Sequence, residues 1–155
     1  GLIEVRCKNN EIRWIEKSIV SKNISLIDKF KVYISKSAGN PNSDKKVIGT
    51  PYLGLKNSIC TDSLIPIGEF DNKEEAIALK KYLSTKFLRY LVSIIKMSQN
   101  VTQIVYRFVP LQDFTINSDI DWSQSIEKID QQLYKKYNLT QDEIDFIESK
   151  VRAMD

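Results

Sequence analysis

Apolar residues recur in steps of three and four along Asp71–Asn100. Ala76, Leu79, Leu83, Phe87, Leu91 and Ile94 fall on one face, and Lys80, Lys81, Lys86, Arg89 and Lys96 on another. That period predicts one amphipathic helix of about seven turns. Asp71 and Glu74 have the spacing of a capping box at its start, and Asn100 suits a left-handed cap at its end. No other segment is as long or as apolar, so the other elements are expected to pack against it.

Shorter patterns flank this helix. Leu2–Lys8 alternates as a strand, Asn9-Asn10 is a turn signal, and Glu11–Ile15 completes a predicted hairpin. Ile24–Lys29 suits one or two helical turns, and Phe30–Ser35 alternates again. Ser37–Lys46 (SAGNPNSDKK) is a loop by composition. Val47-Ile48, Ser58–Thr61 and Leu64–Phe70 are short strand candidates; Pro66 belongs at a sheet edge or bulge because it cannot donate to a ladder. Gln103–Val109 reads as a strand stopped by Pro110. Leu111–Trp122 is acidic and irregular. Ser125–Tyr137, and a segment opened by a second capping box at Thr140 and Glu143, predict two short helices joined through Asn138-Leu139. The expected fold is α+β: a small, mostly antiparallel sheet packed on one long central helix, with a C-terminal helical pair. Residues 1–110 would form the main domain and 111–155 an acidic extension packed on it.

Composition narrows the chemistry. The 155 residues include no histidine and only two cysteines, Cys7 and Cys60. His-based acid–base catalysis, a full Cys/His metal site and a disulfide framework are therefore excluded. No apolar run approaches a bilayer's thickness and no signal pattern opens the chain, which points to a soluble, reduced, cytoplasmic protein. The N-x-S/T triplets at Asn23, Asn100 and Asn138 carry no meaning in that setting. A start at Gly1 rather than methionine suggests an excised fragment or a cleaved tag.

The net charge of +3 hides a gradient. Gly1–Cys60 holds eleven Lys/Arg against five Asp/Glu (+6), Thr61–Pro110 seven against five (+2), and Leu111–Asp155 five against ten (−5). A polyanion would meet the front. The helical pair resembles a helix-turn-helix in outline, but its negative balance repels phosphate, so a lid or strap is the expected role.

Catalytic motifs are missing. Neither G-x-x-x-x-G-K-[ST] nor G-x-G-x-x-G occurs. Asn40-Pro41 opens like the N-P-P-Y box of adenine methyltransferases, yet Asn42-Ser43 follows, without the aromatic that would stack on a flipped base. Glu148-Ser149-Lys150 has the E-x-K spacing of metal-dependent nucleases, but on a helix positions two apart do not share a face.

A binding surface is the better candidate. Lys36, Lys45, Lys46 and Lys56 suit phosphates, while Ser37, Asn40, Asn42, Ser43 and Asn57 can bond phosphates or base edges. The basic helix face adds Lys86 and Arg89. Long loops of this kind are either functional or mobile and solvated.

The succession SAGNPNSDKKVIGTPYLG, NSICTDSLIPIGEFDNKEEA, KYLSTKFLRYLVSIIKMSQN, VYRFVPLQDF and LYKKYNLTQDEIDFIESKVRAMD resembles the C-terminal specificity region of adenine-specific DNA methyltransferases and combined (type IIG-like) restriction–modification enzymes of bacteria. Its strongest parts are Thr85–Tyr90 and Val109–Phe114, and it covers nearly the whole chain. The resemblance implies recognition of double-stranded DNA by this region. A separate upstream domain of the same parent chain would bind S-adenosylmethionine, take up the flipped adenine and move the methyl group. The fragment itself is then expected to be non-catalytic. Two rivals are a module docking a partner subunit and a remnant nuclease using Glu148 and Lys150.

Overall fold

The computed structural model describes residues 1–36, 47–95 and 111–154. The predicted loop Ser37–Lys46, the strand Gln103–Val109, and the helix end bearing Lys96 and Asn100 lie outside the described residues. The architecture is α+β, with two small three-stranded sheets and four α-helices among the described residues.

The first sheet has the order β2-β1-β5. β1 (Leu2–Arg6) pairs antiparallel with β2 (Ile12–Glu16) and parallel with β5 (Ser58–Cys60). The hairpin turns where expected: Asn9 and Asn10 take left-handed backbones (φ 61° and 63°), a region these residues tolerate. The second sheet has the order β4-β3-β6, all antiparallel, from β3 (Phe30–Ser35), β4 (Tyr52–Gly54) and β6 (Leu64–Phe70). Pro66 sits on β6, an edge among the described residues. A register shift between Phe30 and Val32 matches Gly68 at φ 84°, a glycine bulge. Val47-Ile48 is not a strand, because Val47 adopts φ 71°; β4 takes that place beside β3. Gly54 lies opposite Lys31, where a Cβ would come within 2.9 Å of Lys31 and the Tyr33 ring.

The long helix is two helices, α1 (Lys73–Ser84) and α2 (Lys86–Ile95). Thr85 between them is extended (φ −68°, ψ 151°). Its Oγ1 accepts from the Leu88 amide (3.1 Å), as an N-cap does, and donates to the Tyr82 carbonyl (2.6 Å). The first cap also differs from expectation: Asn72, not Asp71, accepts from the Glu75 amide at 2.9 Å, while Asp71 pairs with Lys29. The break rotates the buried face. Ala76, Leu79, Leu83 and Phe87 are buried as the period predicts, but α2 then turns Leu88 and Val92 inward and leaves Ile94 exposed.

α1 lies between the β3 sheet on one side and α3 (Ile126–Lys136) on the other, while α2 packs on α3 and α4 (Gln141–Lys150). The second capping box forms as predicted, with Thr140 and Glu143 bonded reciprocally. Asn138 (φ 55°) turns the chain between these helices, and the Leu139 amide reaches back to the Tyr134 carbonyl at 3.0 Å. One core runs from Val32 and Ile34 through α1 and α2 to Leu133, Ile147 and Met154, so residues on both sides of position 110 share it. Aromatic contacts seal it. Tyr82, Phe114 and Trp122 meet at 5.2–5.9 Å between ring centroids, and Phe87 stacks on Tyr137 at 5.1 Å. Lys81 donates to the Trp122 carbonyl at 2.8 Å, tying the irregular segment to α1.

Candidate nucleic-acid interface

The predicted contact residues do not form one cluster. Ser37, Asn40, Asn42, Ser43, Lys45 and Lys46 lie outside the described residues. Lys36 is exposed at the end of β3, its amide bonded to the Ser63 carbonyl at 3.1 Å. Lys56 is exposed at the other end, its ammonium 5.4 Å from the Phe30 ring centroid. The length of β3, about 20 Å at a strand's rise, separates the two.

Asn57, although exposed, has structural work. It takes φ 63°, its amide donates to Ile27 O (2.6 Å), and its carbonyl accepts from the Glu4 amide (3.1 Å). It is the turn that joins the two sheets. Its side-chain amide reaches Leu2 O at 3.4 Å.

Lys86 and Arg89 come together, but on the helical side of the molecule. Arg89 is fully buried, which corrects its assignment to a solvent-facing basic stripe. The break at Thr85 rolls this position inward. Its Nε donates to Thr85 O (3.1 Å) and its Nη1 to Arg152 O (2.7 Å). Asp130 of α3 lies in the same node and accepts from the amides of Lys86 (3.0 Å) and Phe87 (2.9 Å), so a carboxylate from another helix caps α2. Burial pushes the Asp130 carboxyl up to about 6, although the two amides favour its charged form. Burial also pulls the Arg89 guanidinium down to about 10, against the pull of Asp130, and leaves it charged at neutral pH. Lys86 pairs with Glu148, which also accepts from Tyr134 Oη at 3.0 Å. Lys86, Arg89, Asp130 and Glu148 line a cavity of about 450 Å³ with Gln131 and Met154.

Glu148 and Lys150 have different partners. Glu148 faces Lys86 and Tyr134, whereas the Lys150 ammonium sits 5.3 Å from the Phe146 ring centroid. Among the described residues no three Cys, Asp or Glu side chains converge on a point that would hold a metal ion. No helix among them is long and apolar enough to cross a membrane.

A second buried cation escaped the sequence reading. The Lys31 ammonium, 1% exposed, donates to the carbonyls of Leu26 (2.8 Å), Lys29 (2.9 Å), Leu55 (2.9 Å) and Ser58 (2.7 Å), with Ile27 at 3.5 Å. Burial pulls its pKa down to about 8, against the opposing influence of Cys60, Asp28 and Glu4. Alternation alone places Lys31 on the face opposite Phe30 and Val32, and Gly54, which makes room for it, is the one residue of the sequence that marks that face as covered.

Ion pairing divides the remaining charges. Every described carboxylate of Gly1–Cys60 is paired: Glu4 with Arg6, Glu11 with Arg13, Glu16 with the Gly1 ammonium, and Asp28 with Lys17. Lys8, Lys22, Lys36 and Lys56 remain exposed with no ion pair among the described residues. No family model, no curated protein and no solved structure matches this chain.

Proposed function

We propose that this chain is the DNA target-recognition fragment of a bacterial restriction–modification adenine methyltransferase. In this reading it is non-catalytic by itself and works in the cytoplasm beside an S-adenosylmethionine-binding catalytic domain of the same parent chain. The observation that carries the reading is that four exposed lysines of the β side, Lys8, Lys22, Lys36 and Lys56, have no ion pair among the described residues, against two such carboxylates there, Asp62 and Glu69. The motif resemblance around Thr85–Tyr90 and Val109–Phe114 supplies the family. Lys36 and Lys56 flank β3 and position the duplex through phosphates. Lys45 and Lys46 extend the same charge, and Asn40, Asn42 and Ser43 take the base edges. Arg89 and Asn57 leave the contact set because both have internal partners, and Lys86 contributes only if its pair with Glu148 opens.

Titration of the chain against a labelled random duplex at several salt concentrations tests this. The logarithm of affinity should fall linearly with log salt, by about 0.9 per phosphate neutralised. Lys36→Glu/Lys56→Glu and Lys45→Glu/Lys46→Glu should each weaken binding across all sequences and flatten the slope by about two. A salt-insensitive affinity, or one that both variants retain, overturns the reading. Exposed Leu2, Ile12 and Trp14 on the first sheet favour a second reading, a module docking a partner subunit, for which salt has little effect.

A further inference from the structure

We propose that two copies of this chain associate through the edge of β2 that the described residues leave unpaired, as an antiparallel strand pair with its two-fold axis at Trp14. The inference is independent of any nucleic-acid role. Four of the five residues of β2 are exposed, with Trp14 at 59% and Ile12 at 46%. Among the described residues nothing pairs with its outer edge. Natural edge strands are blunted by proline, charged side chains (lysine above all), bulges or a covering segment. Ile12–Glu16 (IRWIE) carries the charges of Arg13 and Glu16 but neither proline nor lysine, and its ladder to β1 has no bulge.

The ladder shows which groups face outward. Cys7 donates to Glu11 O (2.7 Å) and Lys17 to Gly1 O (2.9 Å), so odd-numbered residues exchange bonds with β1. By antiparallel alternation the amides and carbonyls of Ile12, Trp14 and Glu16 point to the outer edge. A second β2 can therefore bond only with even residues opposite even ones.

Charge then selects one register. With Trp14 opposite the other copy's Trp14, all five residues pair: Ile12 meets Glu16, and Arg13 meets Ile15. Within the strand no like charges oppose each other, and just beyond it Glu11, now held by Arg13, comes opposite Lys17, which opens a 3-10 turn and is now held by Asp28. Sliding the strands one way puts Arg13 against Arg13. Sliding them the other way puts Arg13 against Lys17. A further slide toward the turn would need Asn9 and Asn10 extended, yet both hold left-handed backbones. Like charges directly opposite destabilise a strand pair, whereas aromatic pairs stabilise it. The result is one six-stranded sheet with the two Trp14 side chains packed across the axis, beside Ile12 and Leu2 of each copy.

Sedimentation of the 155-residue chain between about 1 and 100 μM tests this, since a pairing this small suits a micromolar dissociation constant. The wild type should shift from monomer to dimer over that range and stay dimeric in high salt. Trp14→Lys, which sets like charges across the axis, should raise the dissociation constant more than tenfold with an unchanged circular dichroism spectrum. Glu11→Lys should weaken the dimer several-fold, and Glu11→Lys/Lys17→Glu should restore it. A chain that stays monomeric at the highest concentration overturns the proposal. So does a dimer indifferent to Trp14→Lys, and failure of the double variant to restore it overturns the register.

Discussion

The two sides of α1 use charge differently. On the helical side acids and bases are built into the fold. Asp130 caps α2, Glu143 closes a capping box, and Glu148 holds Lys86. Asp113 and Asp121 fold their own turns onto Thr115 and Ser123. Those bonds hold the Asp113, Asp121 and Glu143 carboxyls below the usual range. Four of the ten carboxylates of residues 111–155 thus serve caps and turns. On the β side most described carboxylates sit in surface ion pairs, Asp62 and Glu69 apart, and more lysines than acids are left over. An acidic segment can be a structural necessity, while a basic one with unpaired cations asks for a partner.

The largest test of that contrast is Arg89→Ala. It empties a fully buried site, frees the Thr85 and Arg152 carbonyls and takes a nearby positive charge from Asp130, which keeps its two amide donors, at a cost of about 3–5 kcal/mol in chemical denaturation. A loss below about 1 kcal/mol would mean the node is not structural. Lys31→Met comes next and sharpens the contrast, because Lys31 is the β-side cation that behaves like the helical ones. Its removal leaves buried carbonyls without a donor and should cost about 3 kcal/mol; near-wild-type stability would show that water reaches them.

Much of this was legible beforehand, and the reason is locality. Asn9-Asn10, Phe30–Ser35, Leu64–Phe70 and the Thr140/Glu143 box are set by residues within a few positions of each other, and each formed where its pattern lay. The break at Thr85 was not legible. The apolar stripe continues through it to Phe87, and half of its cause, the Asp130 carboxylate, arrives from 43 positions away. Arg89 was misplaced for the same reason, since a helical wheel assumes an unbroken helix. The scattering of Lys36, Lys56 and Asn57 had the opposite cause. They are close in sequence, but strand pairing carries them to opposite ends of β3.

A smaller effect concerns pH. The folded state holds the Asp130 proton up to about pH 6, whereas an unfolded aspartate releases it near 4. Between those values the native chain binds more protons than the unfolded one, so this group's contribution to stability falls as pH rises. Relative to Asp130→Asn, the wild type should lose about 2 kcal/mol from pH 4 to 6. Parallel stability curves for the two proteins would place the Asp130 carboxyl at an ordinary value. Smallest of all, Lys36→Ala and Lys56→Ala should leave the melting temperature within about 2 °C. A larger drop would make these lysines structural and erase the contrast between the two sides.

The Arg89–Arg152 and Asp130–Phe87 bonds also set an order of events. They span 63 and 43 residues, so they close large loops that a growing chain cannot close early. While the ribosome is still making residues 96–129, α2 has no foreign cap and its buried guanidinium has no destination. The β hairpin can settle locally during that time, and the second sheet can pair as well, since all of its strands, up to Phe70, have been made by then. The helical half completes only after Arg152 has emerged, which makes it the late-folding unit and the one exposed longest to chaperones and proteases.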